Sequence, residues 1–229
     1  MEYKNIKRGK FIARPNRFIA HIEIDGKTEV CHVKNTGRCK ELLVPDAAVF
    51  VQDCRSENRK TNYDLISVYK GDRLINMDSQ IPNKVFAEWI RMGNLFGENA
   101  IIKPETKYGN SRFDFYIEDG HRKAFVEVKG VTLEDNGIAL FPDAPTERGV
   151  KHLEELCHCV EFGYEAYAVF IIQMDKIRYF APNIAVHKAF GDALCTAQQK
   201  GVKILALDCV VTETSITAKN FVDVKLFQS

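Results

Sequence analysis

The chain of 229 residues is long enough for one large or two small domains, and its 45% hydrophobic and 28% charged residues are typical of globular proteins. A formal net charge of +1 excludes a uniformly basic or uniformly acidic protein. No apolar run approaches the length of a membrane span, so we expect no membrane association and a cytoplasmic location.

The cysteine pattern favours reduced thiols. The seven cysteines are an odd number, are scattered along the chain and include no CxxC pair. The closest pair, Cys157 and Cys159, has the wrong spacing for a structural zinc site. A reducing compartment, such as the cytosol, is the simplest explanation.

The charge is unevenly divided along the chain. Residues 1–75 contain 15 basic and 10 acidic residues, a net charge of +5, and the remainder has a net charge of −4. Glu2 is the only acidic residue among the first 17. The basic residues there are Lys4, Lys7, Arg8, Lys10, Arg14 and Arg17. This excess is compatible with a polyanionic partner and equally with a solvated basic segment.

Residues 9–75 are predicted to form a series of short strands. The alternating or β-branched segments are 10–14, 17–24, 28–33, 48–53 and 64–69. Turn dipeptides such as Asp25-Gly26 separate them, and a short helical piece is predicted near 39–43. Five strands in fewer than 70 residues predict a small OB-like β-barrel, a fold that binds single strands through a basic groove and stacking aromatics.

A polar cluster follows the third predicted strand. Its members are His32, Asn35, Thr36, Gly37 and Arg38. Backbone amides and the guanidinium of this cluster are suited to holding a phosphate. The alternative is a turn stabilised by the Asn and Thr side chains. Together with Arg14 and Arg17, the cluster is the predicted nucleic-acid contact of the barrel.

Residues 76–82 are predicted to connect two domains. Asn83 is then expected to cap a helix that continues to Met92 and ends at Gly93. Glu88 lies on this helix. It is either a solvent-exposed charge or, if the helix packs under the following hairpin, a third metal ligand.

The next two strands, 112–118 and 123–129, flank Asp119-Gly120 and predict a tight hairpin. A two-residue turn at this dipeptide would pair Asp114 with Phe125. Strand alternation places Phe113, Phe115 and Ile117 on one face. The opposite face would carry Asp114, Glu127 and Lys129.

These three side chains form a candidate catalytic site. Two neighbouring carboxylates suit Mg²⁺, which keeps waters or substrate phosphates as its remaining ligands. A lysine beside the ion could orient a water or stabilise negative charge in the transition state. The alternative is a solvated hairpin face with a cross-strand ion pair.

The rest of the chain alternates helices and strands. Helices are predicted at 146–162, capped by Thr146, and at about 186–200, with strands at 165–172 and 202–207. The first of these helices carries Arg148, Lys151 and His152. These cations could contact a phosphate backbone or simply form a solvated face. The predicted order gives a three-layer α/β domain.

This arrangement, with Asp114 on one strand and Glu127-Val128-Lys129 on the next, resembles the restriction-endonuclease-like nucleases with a PD-(D/E)XK signature, although Phe113 replaces the proline. Four longer motifs are similar to the sugar fermentation stimulation protein (SfsA) family. They are HVKNTGRCKELL (32–43), KYGNSRFDF (107–115), FVEVKGVTL (125–133) and FPDAPTERGVKHLEEL (141–156). The resemblance implies an OB-like domain in residues 1–80, a nuclease-like domain in residues 81–229, and DNA binding.

Two functions remain open from the sequence. The first is a DNA-binding nuclease in which Asp114 and Glu127 hold Mg²⁺ or Mn²⁺ and Lys129 positions water. The second is a non-catalytic DNA-binding regulator of sugar metabolism built on a nuclease scaffold. The intact trio favours the first, because clustered carboxylates repel the phosphates that a pure binder must hold. Single- and double-stranded DNA both remain possible, as do different oligomeric states.

Overall fold

A computed structural model describes residues 1–226. Six strands form the N-terminal sheet: β1 (Ile6–Asn16), β2 (Ile19–Ile24), β3 (Lys27–Val33), β4 (Ala48–Asp53), β5 (Tyr63–Lys70) and β6 (Arg73–Asn76). Their order is β3-β2-β1-β4-β5-β6, and a parallel pairing of β3 with β5 closes the first five into a barrel. The predicted OB-like barrel is therefore confirmed, and β6 is an additional strand.

The prediction of a short helix near residues 39–43 is wrong. Cys39 has a left-handed backbone with φ 44°, and Pro45 follows closely. A single turn remains, in which the Leu43 amide donates to the Cys39 carbonyl over 3.0 Å.

No helix within residues 1–226 is long and apolar enough to cross a bilayer.

The second sheet contains β7 (Ile101–Tyr108), β8 (Ser111–Asp119), β9 (Arg122–Val131), β12 (Glu165–Ile172), β14 (Lys203–Val211) and β15 (Ile216–Phe221). Its order is β15-β14-β12-β9-β8-β7, with β9, β12 and β14 parallel. A small third sheet contains β10 (Leu133–Asp135), β11 (Ile138–Phe141) and β13 (Tyr179–Pro182). The strands of the small sheet, which have only three or four residues each, and β15 were not predicted.

Helices cover both faces of the second sheet. Helix α1 (Pro82–Arg91) packs on one face, and α2 (Glu147–Glu161) and α3 (Lys188–Gln199) pack on the other. Strand β12 shows the consequence, since its alternate residues enter different cores: Ala168 and Phe170 face α2 and α3, and Val169 and Ile171 face α1. The three-layer α/β architecture is confirmed.

The sequence predicted the N-terminal cap of α2 correctly and that of α1 wrongly. Thr146 caps α2, and its hydroxyl accepts the Gly149 amide over 3.1 Å. Helix α1 instead begins after Ile81 without a side-chain cap, so the capping role predicted for Asn83 is wrong. Pro82 starts α1, because its fixed φ and missing N–H suit the first helical turn.

The segment between the two large sheets is buried and hydrogen-bonded. Asn76 and Asp78 are each about 1% exposed. The Gln173 side chain donates to the Asn76 side chain over 2.9 Å and to the Asp78 carbonyl over 3.1 Å. The barrel therefore docks on the α/β domain through polar contacts that a free linker would not make.

Glu134 is the centre of a second contact between the barrel and the α/β domain. Its carboxylate lies 2.7 Å from the Lys70 ammonium and 2.8 Å from the Arg73 guanidinium. Burial would raise the pKa of Glu134, but hydrogen bonds from Lys70, the Gly137 amide and Arg73 outweigh it and lower the pKa to about 2.

We predict that Glu134→Gln lowers the free energy of unfolding by roughly 1–3 kcal/mol at pH 7, because Lys70 and Arg73 lose their counter-charge. A carboxyl whose pKa is lower in the folded state stabilises above its ordinary pKa of 4.5, and this contribution is lost as the pH falls towards 2. The stability difference from the wild type, measured by urea denaturation, should therefore shrink below pH 4.5. Glu213→Gln, at an exposed residue, is the control and should show no such dependence.

Candidate functional site

The candidate site lies where β7 and β8 lose their regular pairing. The ladder pairs Pro104 with Phe115 and Thr106 with Phe113, but it omits Glu105 and Asp114 between them. Glu105 has a left-handed backbone with φ 53°. Irregularities of this kind redirect side chains and occur often beside functional sites.

The irregularity changes the face of Phe113. Phe115 and Ile117 enter the core beneath α1, as predicted, with the Phe115 ring 5.7 Å from that of Phe86. Phe113 instead enters the α2 core, and its ring centroid is 5.5 Å from that of Phe125. The prediction that all three side chains share a face is therefore wrong at Phe113.

The turn of the hairpin lies one residue later than predicted. Asp119 pairs with Arg122, so Gly120 and His121 form the turn, and Tyr116 lies opposite Phe125. Asp119 stays in the strand because its carboxylate accepts the Gly97 amide over 2.9 Å. The register shifts by two residues, which preserves the faces of the paired side chains in 115–119 and 122–126. Asp114 is therefore not opposite Phe125; it lies beyond the last pair, Phe115 with Val126, and its carboxylate contacts the Val128 amide.

Both oxygens of the Asp114 carboxylate are hydrogen-bonded. Oδ2 accepts the Val128 backbone amide over 2.7 Å, and Oδ1 accepts the Asn83 side-chain amide, also over 2.7 Å. Burial raises the pKa of Asp114, the negative charge of Glu127 raises it further, and the two hydrogen bonds oppose this only in part. The carboxylate is thus held in place in an environment where a nearby cation would stabilise its charge.

Glu127 is 5% exposed. Its Oε1 accepts a hydrogen bond from Lys129 Nζ over 2.5 Å and also contacts His152 Nδ1. Burial raises the pKa of Glu127, but the contacts with His152 and Lys129 outweigh burial and leave the pKa below its ordinary value. Within residues 1–226, Glu127 Oε2 is buried without a hydrogen-bond partner.

The structure gives Glu88 a different partner from the one expected. Glu88 lines the same cavity of about 350 Å³ as Asp114, between α1, β7 and β8. Its Oε2 lies 2.5 Å from the amino group of Met1. No group of three or more His, Cys, Asp or Glu side chains within residues 1–226 is arranged to hold a metal ion. A role for Glu88 as third ligand stays a prediction.

The three cationic residues expected on α2 separate into two sets. Arg148 and Lys151 are exposed, as a phosphate contact requires. His152 is 5% exposed and contacts Glu127, so it belongs to the carboxylate cluster and does not face solvent. Arg148 Nε lies 3.4 Å from His152 Nε2.

Arg14 has a structural role that the sequence did not indicate. Its guanidinium donates four hydrogen bonds of 2.7–2.8 Å to backbone carbonyls. The acceptors are Arg17, Asn35, Gly37 and Arg38. The guanidinium therefore holds the loop of residues 35–38, hereafter the barrel loop, against β1.

Other members of the predicted polar cluster support this loop. Asn35 Oδ1 accepts the Gly37 amide over 2.8 Å. A Cβ on Gly37 would collide with the Asp143 carboxylate of the α/β domain, so a larger residue would displace that side chain. His32 Nδ1 lies 3.6 Å from Asp64, a buried carboxylate that also contacts Arg59 and Lys34.

An open groove of about 740 Å³ runs between β1 and the barrel loop. Exposed Arg17, Arg38 and Lys40 line it, and within residues 1–226 their side chains form no ion pair or hydrogen bond. Thr36 and, from the α/β domain, Ala144 line the groove as well. Three free cations, an exposed loop and the neighbouring domain thus share one surface.

Two important residues were missed or misassigned for identifiable reasons. Asn83 follows Pro82 at a helix start, which made a cap the obvious prediction, and only the tertiary packing of α1 brings it to Asp114. His152 is one helical turn from exposed Arg148, and that spacing suggested a shared surface. The apolar spacing of α2, in which Leu153 and Leu156 are buried, was the available signal that His152 lies at the edge of the buried stripe.

The fold and site together define a two-domain protein with a closed OB-like barrel and a mixed α/β domain that gathers two carboxylates and a lysine on neighbouring strands. Two family models match the chain. The SfsA N-terminal OB domain matches residues 12–77, and the sugar fermentation stimulation protein RE domain matches residues 80–215. The chain belongs to the sugar fermentation stimulation protein (SfsA) family.

Relatives of full length support this assignment. A sugar fermentation stimulation protein homolog of Desulfitobacterium hafniense strain Y51 is 67% identical over 100% of both chains. A homolog of Clostridium beijerinckii is 62% identical over 99% of this chain and 100% of its own. The structure of Pyrococcus furiosus SfsA in complex with Ca²⁺ superposes with a TM-score of 0.87 at 28% identity, covering 98% of each chain.

We predict that Arg14→Ala destabilises the protein by roughly 1.5–3 kcal/mol, because four backbone carbonyls lose a charged donor. Arg17→Ala, at an exposed side chain of the same groove, is the matched control and should change stability by no more than about 0.5 kcal/mol. Urea denaturation followed by circular dichroism measures both. Equal stabilities of the two variants would contradict the structural role of Arg14.

Proposed function

We propose that the protein binds DNA along the barrel groove and cleaves a phosphodiester with a divalent cation, Mg²⁺ or Mn²⁺, held by Asp114 and Glu127. The observation that carries this proposal is the position of Asp114 and Glu127 on neighbouring strands, joined through the Val128 amide, with Lys129 beside them. The sequence pattern and the geometry support the same three residues for the reaction.

The donor set fits a hard cation. Carboxylate oxygens are the ligands that Mg²⁺ prefers, and it typically takes one or two of them and completes its coordination with water and phosphate. Glu127 Oε2 is buried without a partner in the described part of the chain, which is costly unless a cation or water completes its interactions. The Ca²⁺ in the Pyrococcus furiosus structure supports a divalent ion in this family.

The chain's own residues have separate tasks in this proposal. The bound cation would polarise the phosphate and activate a water. Asn83 and the Val128 amide orient Asp114. Lys129, whose side chain is 23% exposed, can turn its ammonium from Glu127 towards an attacking water or a phosphate oxygen. Burial of the cluster strengthens each of these electrostatic interactions.

The barrel loop supports phosphate binding through its backbone. The carbonyls of Asn35, Gly37 and Arg38 face Arg14. In a trans peptide the N–H points opposite to the C=O, so the amides of Thr36, Arg38 and Cys39 point away from Arg14. None of these three amides has an acceptor within residues 1–226. Free amides in the loop that carries the exposed Arg38 can bind an anion on the side of the loop away from Arg14, which the nearby Asp143 carboxylate opposes in part.

We predict that the double variant Arg17→Ala, Arg38→Ala binds DNA more weakly and less salt-dependently, because each phosphate contact releases counterions. The slope of log K against log salt should fall by about 1.4–1.8, from about 0.7–0.9 per lost contact. Fluorescence anisotropy with single- and double-stranded oligonucleotides measures this slope.

The control removes two exposed lysines from the α/β domain, as Lys123→Ala, Lys219→Ala, and should leave the slope unchanged. If the control and the groove variant lowered the slope equally, binding would be spread over the surface and the groove assignment would be abandoned.

We predict that Mn²⁺ raises the melting temperature by about 5–10 °C at 100 times its Kd, because it binds the native state and relieves repulsion between Asp114 and Glu127. Asp114→Asn should abolish this shift and any cleavage of DNA. Lys129→Ala should keep the shift and lose cleavage, because the lysine is not a ligand. Calorimetry and a gel assay with labelled DNA provide the two readouts.

A full metal response in Asp114→Asn would reject the proposed site. DNA binding without cleavage, in a wild-type protein that also ignores metal, would favour the regulator over the nuclease.

A further inference from the structure

We infer that His152 is a positioning residue that orients Glu127 towards the divalent cation, an inference that rests on the proposed function. His152 approaches from α2, on the opposite face of the sheet from Asn83 and α1. Its Nδ1 contacts Glu127 Oε1, while Oε2 of the same carboxylate has no partner in the described chain. One oxygen is thus held by the protein, and the other is left for a ligand.

The contact with Arg148 indicates which ring nitrogen of His152 donates a hydrogen bond. Arg148 Nε lies 3.4 Å from His152 Nε2, and a guanidinium can only donate a hydrogen bond. Nε2 is therefore placed as the acceptor, and Nδ1 is the ring nitrogen that donates to Glu127.

His152 is better placed than Lys129 to fix Glu127. Its ring is buried and lies edge-on to Phe113, with centroids 6.3 Å apart. It extends from a helix whose first turn is capped by Thr146. Lys129 is a flexible, partly exposed side chain on the same strand as Glu127, and the proposed reaction requires its ammonium to move. When the Lys129 ammonium turns away from Glu127, His152 remains as the contact that keeps Glu127 Oε1 in place.

The experiment measures Mn²⁺ affinity by isothermal titration calorimetry, without reference to cleavage. His152→Ala should weaken binding by about 10- to 100-fold, the usual cost of losing a residue that orients a metal ligand. The amide nitrogen of asparagine can occupy the position of Nδ1, whereas that of glutamine extends to the position of Nε2. His152→Asn should therefore restore most of the affinity, and His152→Gln should not.

Two further variants separate positioning from stability. Leu156→Ala removes a fully buried side chain from the same helix and should lower the melting temperature while keeping Mn²⁺ affinity within twofold of the wild type. Lys129→Ala should likewise keep the affinity, because His152 still holds Glu127.

Three outcomes would overturn the inference about His152. If His152→Ala binds Mn²⁺ within twofold of the wild type, or if Leu156→Ala loses as much affinity as His152→Ala, the inference is overturned and the proposed metal site survives. Equal affinities of the Asn and Gln variants would also overturn it, since the position of the donor would then be irrelevant. A wild-type protein that binds no Mn²⁺ would remove both the site and the inference.

Discussion

The hydrogen bond from the Val128 amide to the Asp114 carboxylate joins the fold to the candidate site. The β7–β8 ladder omits Asp114, and its side chain contacts the backbone of β9 beside Glu127. Two negative charges are thereby held close together in a buried place, where their repulsion and desolvation raise the pKa of Asp114. Hydrogen-bond donors from the flanking residues offset part of this free-energy cost, and a cation would offset the remainder.

The donors come from both layers of helices. Asn83 on α1 holds Asp114, and His152 on α2 holds Glu127. The carboxylates therefore depend on the correct packing of all three layers, and not on the hairpin alone. The barrel is tied to the same unit by contacts of Gln173 and Glu134 with its residues.

Local patterns predicted the architecture, but the shared face expected for Asp114, Glu127 and Lys129 stays a prediction, because the Asp114 carboxylate contacts Asn83 of α1 and Glu127 contacts His152 of α2. They did not predict that Phe113 enters the other core, since this depends on the broken pairing opposite Glu105. The partnership of Glu127 and His152 joins residues 25 apart, and it arises only when α2 packs on β9. Contacts of this kind depend on tertiary packing that no local spacing contains.

The four hydrogen bonds of Arg14 also limit how the sequence of the groove can change during evolution. Surface loops ordinarily accept insertions and deletions with little penalty. The barrel loop is more constrained, because one planar guanidinium binds carbonyls at fixed positions along it and a side chain at position 37 would displace the Asp143 carboxylate. Under the proposed function, any change in DNA preference is thus expected to arise from exchanges of exposed side chains such as Arg17, Arg38 and Lys40, while the length of the loop stays constant.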